Sequence, residues 1–198
     1  MEIRCECGKF RAELNQFPKN TPGRLKCYCD DCQTYLHHLK RADLLDENGG
    51  SEIIPFYPAD IKITAGQDLI ECVRLHPGGM FRFATTCCNT PIANTDPKRP
   101  WAGIHRRMFT NKDPDIFEKA LGKVKSSIMG KYAKGTPPPA TPQTYDLNGM
   151  RIVMPYILKG MFFGKSKPSP FFNDGEPIVA PKVLTRGERQ AGRAAAGV

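Results

Sequence analysis

DIKITAGQDLIECVRLHPGGMFRFATTCCNTP, residues 60–91, sets the architecture. Apolar and polar side chains alternate through 60–66 and again through 69–75, the period of a strand with one buried face. Pro77-Gly78-Gly79 reads as a turn, and MFRFAT beyond it as a further strand. The stretch runs into an adjacent cysteine pair, Cys87 and Cys88. Upstream, IRCECGKFRAEL (3–14) repeats the scheme as strand, knuckle at Gly8 and second strand. Short strands with a turn signal roughly every ten residues predict antiparallel sheets, mainly β and α+β overall. Between these segments, QTYLHHLKRADLLDENGG (33–50) reads as a short helix that stops at Gly49-Gly50.

All eight cysteines precede residue 89, as Cys5 and Cys7, then Cys27, Cys29 and Cys32, then Cys72, then Cys87 and Cys88. The opening MEIRCECGKF has no apolar leader. The longest apolar stretch, IVMPYILKGMFF (152–163), is broken by Pro155 and Lys159 and falls short of the ~20 residues a membrane span needs. A soluble, cytoplasmic protein without a membrane span is therefore expected. In a reducing compartment, clustered cysteines point to metal ligands or reactive thiols rather than disulfides.

The C-x-C-x-x-C trio offers three soft thiolates from one short loop, which suits zinc. A fourth sulfur from the same loop is hard to place. The trio therefore either recruits a distant residue or keeps a position for water or substrate, the pattern of catalytic zinc. Cys5 and Cys7 make half a site, and Cys87 and Cys88 are the remaining pair. Together they would form a closed structural centre, provided the backbone turns at 87–88, where Asn89-Thr90-Pro91 supplies a turn signal. Cys72, inside an alternating strand, reads as a buried apolar residue.

After residue 110 the texture changes. Asp113 is a predicted N-cap with Pro114 at the first helical position, and Ile116, Phe117, Ala120, Leu121, Val124 and Ile128 recur at helical spacing. TPPPATPQT (136–144) reads as a stiff linker, 147–163 as a second helix containing Pro155, and GERQAGRAAAGV as a frayed tail. The expected organisation is a zinc-binding β domain over 1–110, a helical extension over 111–165 packed on it, and an irregular basic tail over 166–198. Net charge is +9, split as −2 over 1–97 and +11 over 98–198. The basic half suits nucleic acid, anionic lipid or a small anionic substrate, but its charges are scattered rather than bunched, so nucleic acid is not favoured.

The order of motifs over about 1–110 resembles the glutathione-dependent formaldehyde-activating enzymes, a family that includes centromere-protein-V-like proteins. Its C-x-C-G appears as Cys5-Glu6-Cys7-Gly8, its C-x-C-x-x-C as 27–32, and its C-x-x-C-G-x-P is approached by TTCCNTP. The resemblance implies a β-tent pinned by zinc and a second, catalytic zinc on Cys27, Cys29 and Cys32. The implied activity is that of a carbon–sulfur lyase acting on a small thiol such as a glutathione–formaldehyde adduct. It also implies that Cys5, Cys7 and Cys88 hold the structural ion. Thr85 stands where the third motif has its first cysteine, with Cys87 as the candidate substitute. His37 and His38, just after the trio, are candidate proton carriers, and Arg106 and Arg107, near Trp101 and His105, are candidates for meeting substrate carboxylates. The competing readings are a non-catalytic zinc-stabilised binding module using the basic half, and a zinc chaperone or sensor.

Overall fold

The computed structural model describes residues 1–109 and 114–198. The predicted N-cap Asp113 lies outside them. The strands in chain order are β1 (Glu2–Arg4), β2 (Arg11–Leu14), β3 (Leu25–Cys27), β4 (Ser51–Phe56), β5 (Ile61–Ala65), β6 (Ile70–Arg74), β7 (Phe81–Thr85), β8 (Pro91–Thr95), β9 (Ala102–His105), β10 (Ser126–Ile128), β11 (Phe172–Asn173), β12 (Glu176–Pro177) and β13 (Pro181–Val183). The helices are α1 (Asp30–His38), α2 (Pro114–Leu121), α3 (Leu147–Phe162) and α4 (Arg186–Ala196). No helix among the described residues is long and apolar enough to cross a membrane.

The mainly β, α+β architecture is the one the alternation predicts. An eight-stranded sheet runs β10-β3-β4-β9-β8-β7-β6-β13, and a three-stranded sheet runs β1-β2-β5. All inner pairings are antiparallel, while the two outermost strands, β10 and β13, add in parallel to β3 and β6. Ile3 and Leu14 from the small sheet, with Phe10 from its β1–β2 turn, meet Ile54, Phe56, Phe83 and Ile104 from the large one in a common core. That core also takes Phe109 and Phe117, whose rings lie 5.1 Å apart. A smaller core gathers Tyr35, Leu36 and Leu39 of the α1 region with Val73, Leu75 and Leu184.

Two segments depart from the sequence reading. The helical spacing through Val124 and Ile128 does not make one helix. α2 stops at Leu121, Gly122 takes a left-handed φ of +65°, and the chain then adds β10 to the open edge of β3. Three backbone pairings with β3 take the place of a helical continuation. The expected frayed tail is instead α4. Thr185 and Glu188 close a reciprocal capping box. Gly192 lies so close to α1 that a Cβ there would sit 3.1 Å from the Thr34 carbonyl oxygen. Arg193 pairs with Asp30. Small residues, not large apolar ones, seat this helix, so hydropathy alone misses it.

α3 matches its predicted span. Asp146 caps it by accepting from the Gly149 amide at 2.7 Å. Its far half is anchored by Tyr156, stacked on Tyr57 at 4.2 Å between ring centroids, and by the Tyr57 hydroxyl donating to the Tyr156 carbonyl. Gly160 fits against Tyr57 and Pro100 only because it lacks a Cβ. The helix also carries an outward apolar edge: Leu147, Leu158, Met161 and Phe162 are exposed, Phe162 by 86%.

Candidate metal centres and cleft

The turn between β1 and β2 carries Cys5 and Cys7, with Gly8 in the left-handed region at its apex. The turn between β7 and β8 carries Cys87 and Cys88, with Asn89 at φ +52°. That turn lets two neighbouring sulfurs point the same way, as the sequence reading requires. The four sulfurs all lie within 4.8 Å of one another. Cys5–Cys7 is 3.6 Å, Cys5–Cys87 3.9 Å, Cys7–Cys87 3.3 Å and Cys87–Cys88 3.7 Å. A tetrahedral ion with sulfur ligands at ~2.3 Å needs edges of about 3.8 Å, so the set can hold one metal ion.

Cys87 therefore occupies the cluster, and Thr85 supports it. The Thr85 and Thr90 hydroxyls lie 3.4 and 3.2 Å from the Cys88 sulfur. Burial raises the Cys88 thiol, yet these contacts and the Cys7 backbone amide outweigh it and bring the group to about 5. The Phe10 amide donates to the Cys5 sulfur at 3.3 Å, and the Glu6 amide to the Thr90 hydroxyl at 3.2 Å, tying the two turns together. Arg41 and Arg107 converge on Glu6 beside the cluster.

The second group comes from one segment. Cys27 ends β3, Cys29 is the N-cap of α1, and Cys32 lies in its first turn. The Cys29 sulfur accepts from the Cys32 amide at 3.3 Å. The three sulfurs also lie within 4.8 Å of one another, and among the described residues no fourth cysteine, histidine or carboxylate joins them. Hydrogen bonds from Cys27 and Cys29 hold the Cys32 thiol well below its ordinary range, and the Arg82 guanidinium reinforces them against burial. The helix N-terminus favours negative charge at the same place. Arg82, only 5% exposed on β7, lies 3.7 Å from Asp31 and faces the Tyr35 ring.

The trio borders a cleft of about 450 Å³ between the β3–β10 edge and α3. Leu25, Ile53, Trp101, Ile128, Val153 and Ile157 give its apolar walls. Behind the trio, Cys32, Arg82 and His105 border a second, small cavity of about 10 Å³, enough for one water. Burial first, then the surrounding arginines, lowers His105 to about 4 despite the nearby Cys32, so the ring is neutral. Its Nδ1 accepts from the Arg107 amide, which puts the proton on the buried, unpartnered Nε2.

The other predicted residues fall elsewhere. His37 and His38 end α1 and border neither the cleft nor the small cavity; His38 faces Lys182 and Glu188. Arg106 stacks over the Phe117 ring at 3.8 Å and Arg107 pairs with Glu6, so neither borders the cleft. Arg82 and Arg99 border it instead. A strand alternation gives no signal for a buried arginine, and Arg99 sits in the loop before β9 with nothing in its sequence context to mark it. Cys72 is buried, as expected.

A profile described as "Family of unknown function (DUF6151)" matches residues 1–181. A search of curated proteins finds no match. A crystal structure of a Rhodobacter sphaeroides protein, a structural-genomics target, is similar over 63% of this chain and 97% of its own, with 16% identity and a TM-score of 0.42.

Proposed function

We propose that this chain, which belongs to the DUF6151 family of unknown function, is a two-zinc protein that acts on a small thiol or its carbonyl adduct. In this reading Cys5, Cys7, Cys87 and Cys88 hold a structural ion that clamps the two turns together. Cys27, Cys29 and Cys32 hold a second ion with its remaining position towards the cleft. The observation that carries the reading is the trio itself: three converging sulfurs at a cleft wall, with no fourth side-chain ligand among the described residues. A bound zinc would supply a Lewis acid suited to a substrate thiol or hydroxymethyl oxygen, since three thiolates blunt its action on water.

The protein's own groups have separate tasks. Arg82 balances the negative charge gathered at Cys32 and is itself held by Asp31. His105, neutral and turned to the small cavity, offers an Nε2 proton to whatever occupies the space behind Cys32. The reaction class is that of the formaldehyde-activating resemblance. A hydroxymethyl thioether loses its carbon–sulfur bond, the sulfur keeps the electron pair and gains the hydroxyl proton, and a thiol and formaldehyde result.

Metal analysis is expected to give two zinc per chain. Exchange NMR of a thiol with formaldehyde is expected to show faster adduct exchange with the zinc-loaded protein than with Cys29→Ser. One zinc per chain, or no acceleration with either, would leave a zinc-stabilised binding module rather than an enzyme.

A further inference from the structure

The cleft's lining specifies its guest more narrowly than "a thiol". We infer that it takes a thiol with an apolar body and one anionic end, in preference to a compact polar thiol with two carboxylates such as glutathione. The inference rests on the reading that the trio faces the cleft with a free position. Three observations carry it.

The first is the wall. Leu25, Ile53 and Ile128 on the sheet side face Val153 and Ile157 on α3, with Trp101 between. A site of about 450 Å³ is in the range of small-molecule pockets. Burying a chain of methylenes here removes apolar surface from water, whereas the amides of a tripeptide would give up water against walls that are mostly aliphatic.

The second is the charge inventory. Lys26 is paired with Asp46 at 2.7 Å, and Arg82 with Asp31 at 3.7 Å. Asp146 accepts from the Gly149 amide and Asp96 from the Lys98 amide. Among the described residues bordering the cleft, only the cation of Arg99 has neither a hydrogen bond nor an ion pair from its side chain. One carboxylate can therefore be met by a forked donor. A second would find Asp96 and Asp146 rather than another free cation.

The third is placement. Arg99, Tyr145 and the sulfur-bearing Cys27, Cys29 and Cys32 all line the same cleft. The free cation and the sulfurs thus border one space, and a guest can reach both.

Trp101 is the chain's single tryptophan, so its fluorescence reports on the cleft in the intact protein. The test titrates the zinc-loaded full chain with 8-mercaptooctanoate, octanoate and glutathione, and repeats each titration by calorimetry so that a silent fluorophore does not hide binding. 8-Mercaptooctanoate is expected to bind tightest, octanoate more weakly for want of the sulfur, and glutathione weakest. Arg99→Ala, at an exposed position, is expected to weaken both eight-carbon ligands by about tenfold, roughly the value of one charge-assisted contact. Glutathione binding as tightly as 8-mercaptooctanoate overturns the inference, as does an Arg99→Ala protein that binds unchanged. Equal binding of octanoate and 8-mercaptooctanoate, both ahead of glutathione, upholds the guest class and instead sinks the free position on the trio. Glutathione ahead, with its binding lost in Cys29→Ser, does the reverse.

Discussion

The two cysteine groups use the same donor atom and differ in where the donors come from. Cys5, Cys7, Cys87 and Cys88 arrive in pairs from turns 80 or more residues apart in sequence, joining the edge of the small sheet to the large one. Cys27, Cys29 and Cys32 come from one strand-to-helix junction. The first arrangement closes a loop through the whole β framework, so a metal ion there restrains the chain. The second would exist locally even if the framework loosened, and it borders a cleft. Ligands drawn from distant segments make a staple, whereas ligands drawn from one junction leave room for chemistry.

The contrast can be broken by substitution. Cys88→Ser is expected to remove one zinc and destabilise by roughly 4 kcal/mol, about 10 °C in thermal midpoint for a chain of this size. An unchanged midpoint would mean that the four-sulfur group is not the staple. Cys29→Ser is expected to remove the other zinc and all acceleration of adduct exchange, at a stability cost of only about 1 kcal/mol, because serine still caps the helix that Cys29 caps. Collapse of the fold, read by near-ultraviolet circular dichroism, would make both centres structural. Arg82→Met is expected to weaken zinc at the trio by about 10–100-fold, as loss of an outer partner does, and to leave the four-sulfur group untouched. Competition with a chromogenic chelator would reveal two unchanged affinities if Arg82 has no such part.

The smallest effect lies in α4. The Glu188 carboxyl is held at about 2, first by the Lys182 ammonium and then by the Thr185 amide and hydroxyl. Its folded value is depressed, so its contribution is complete above the ordinary value of about 4.3 and is lost as pH falls towards 2. In that window the NMR shifts of α4 and of the α1 face it covers are expected to move. Glu188→Gln is expected to abolish that step, and its persistence would remove the cap from the account.

The parts of this contrast that were legible in sequence are those fixed by local spacing. C-x-C-x-x-C announces three sulfurs from one loop, and the turn signal after Cys88 allows an adjacent pair to share a centre. Period-two alternation finds β5, β6 and β7. It does not find Arg82 as a buried group, because alternation assumes one wet face, whereas β7 is covered on both, with Arg82, Phe83 and Ala84 all buried. β10 was hidden because Val124 and Ile128 fit a helix as well as a strand, and only the free edge of β3 decides between them. α4 was hidden because Gly192 and Ala196 seat it by closeness rather than apolar bulk. Arg106 and Arg107 look available in sequence, yet aromatic stacking and Glu6 occupy them, and the free guanidinium belongs to Arg99.

The outer edge of α3 has a practical consequence for anyone handling the protein. Leu158, Met161, Phe162 and Phe163 face water there, and residues 147–173 hold four cations and no carboxylate. At low ionic strength that like charge keeps molecules apart. Molar salt shortens the reach of the repulsion to about 3 Å, and sulfate strengthens apolar attraction. Ammonium sulfate should therefore precipitate this chain early, and a phenyl resin should hold it firmly until the salt is withdrawn.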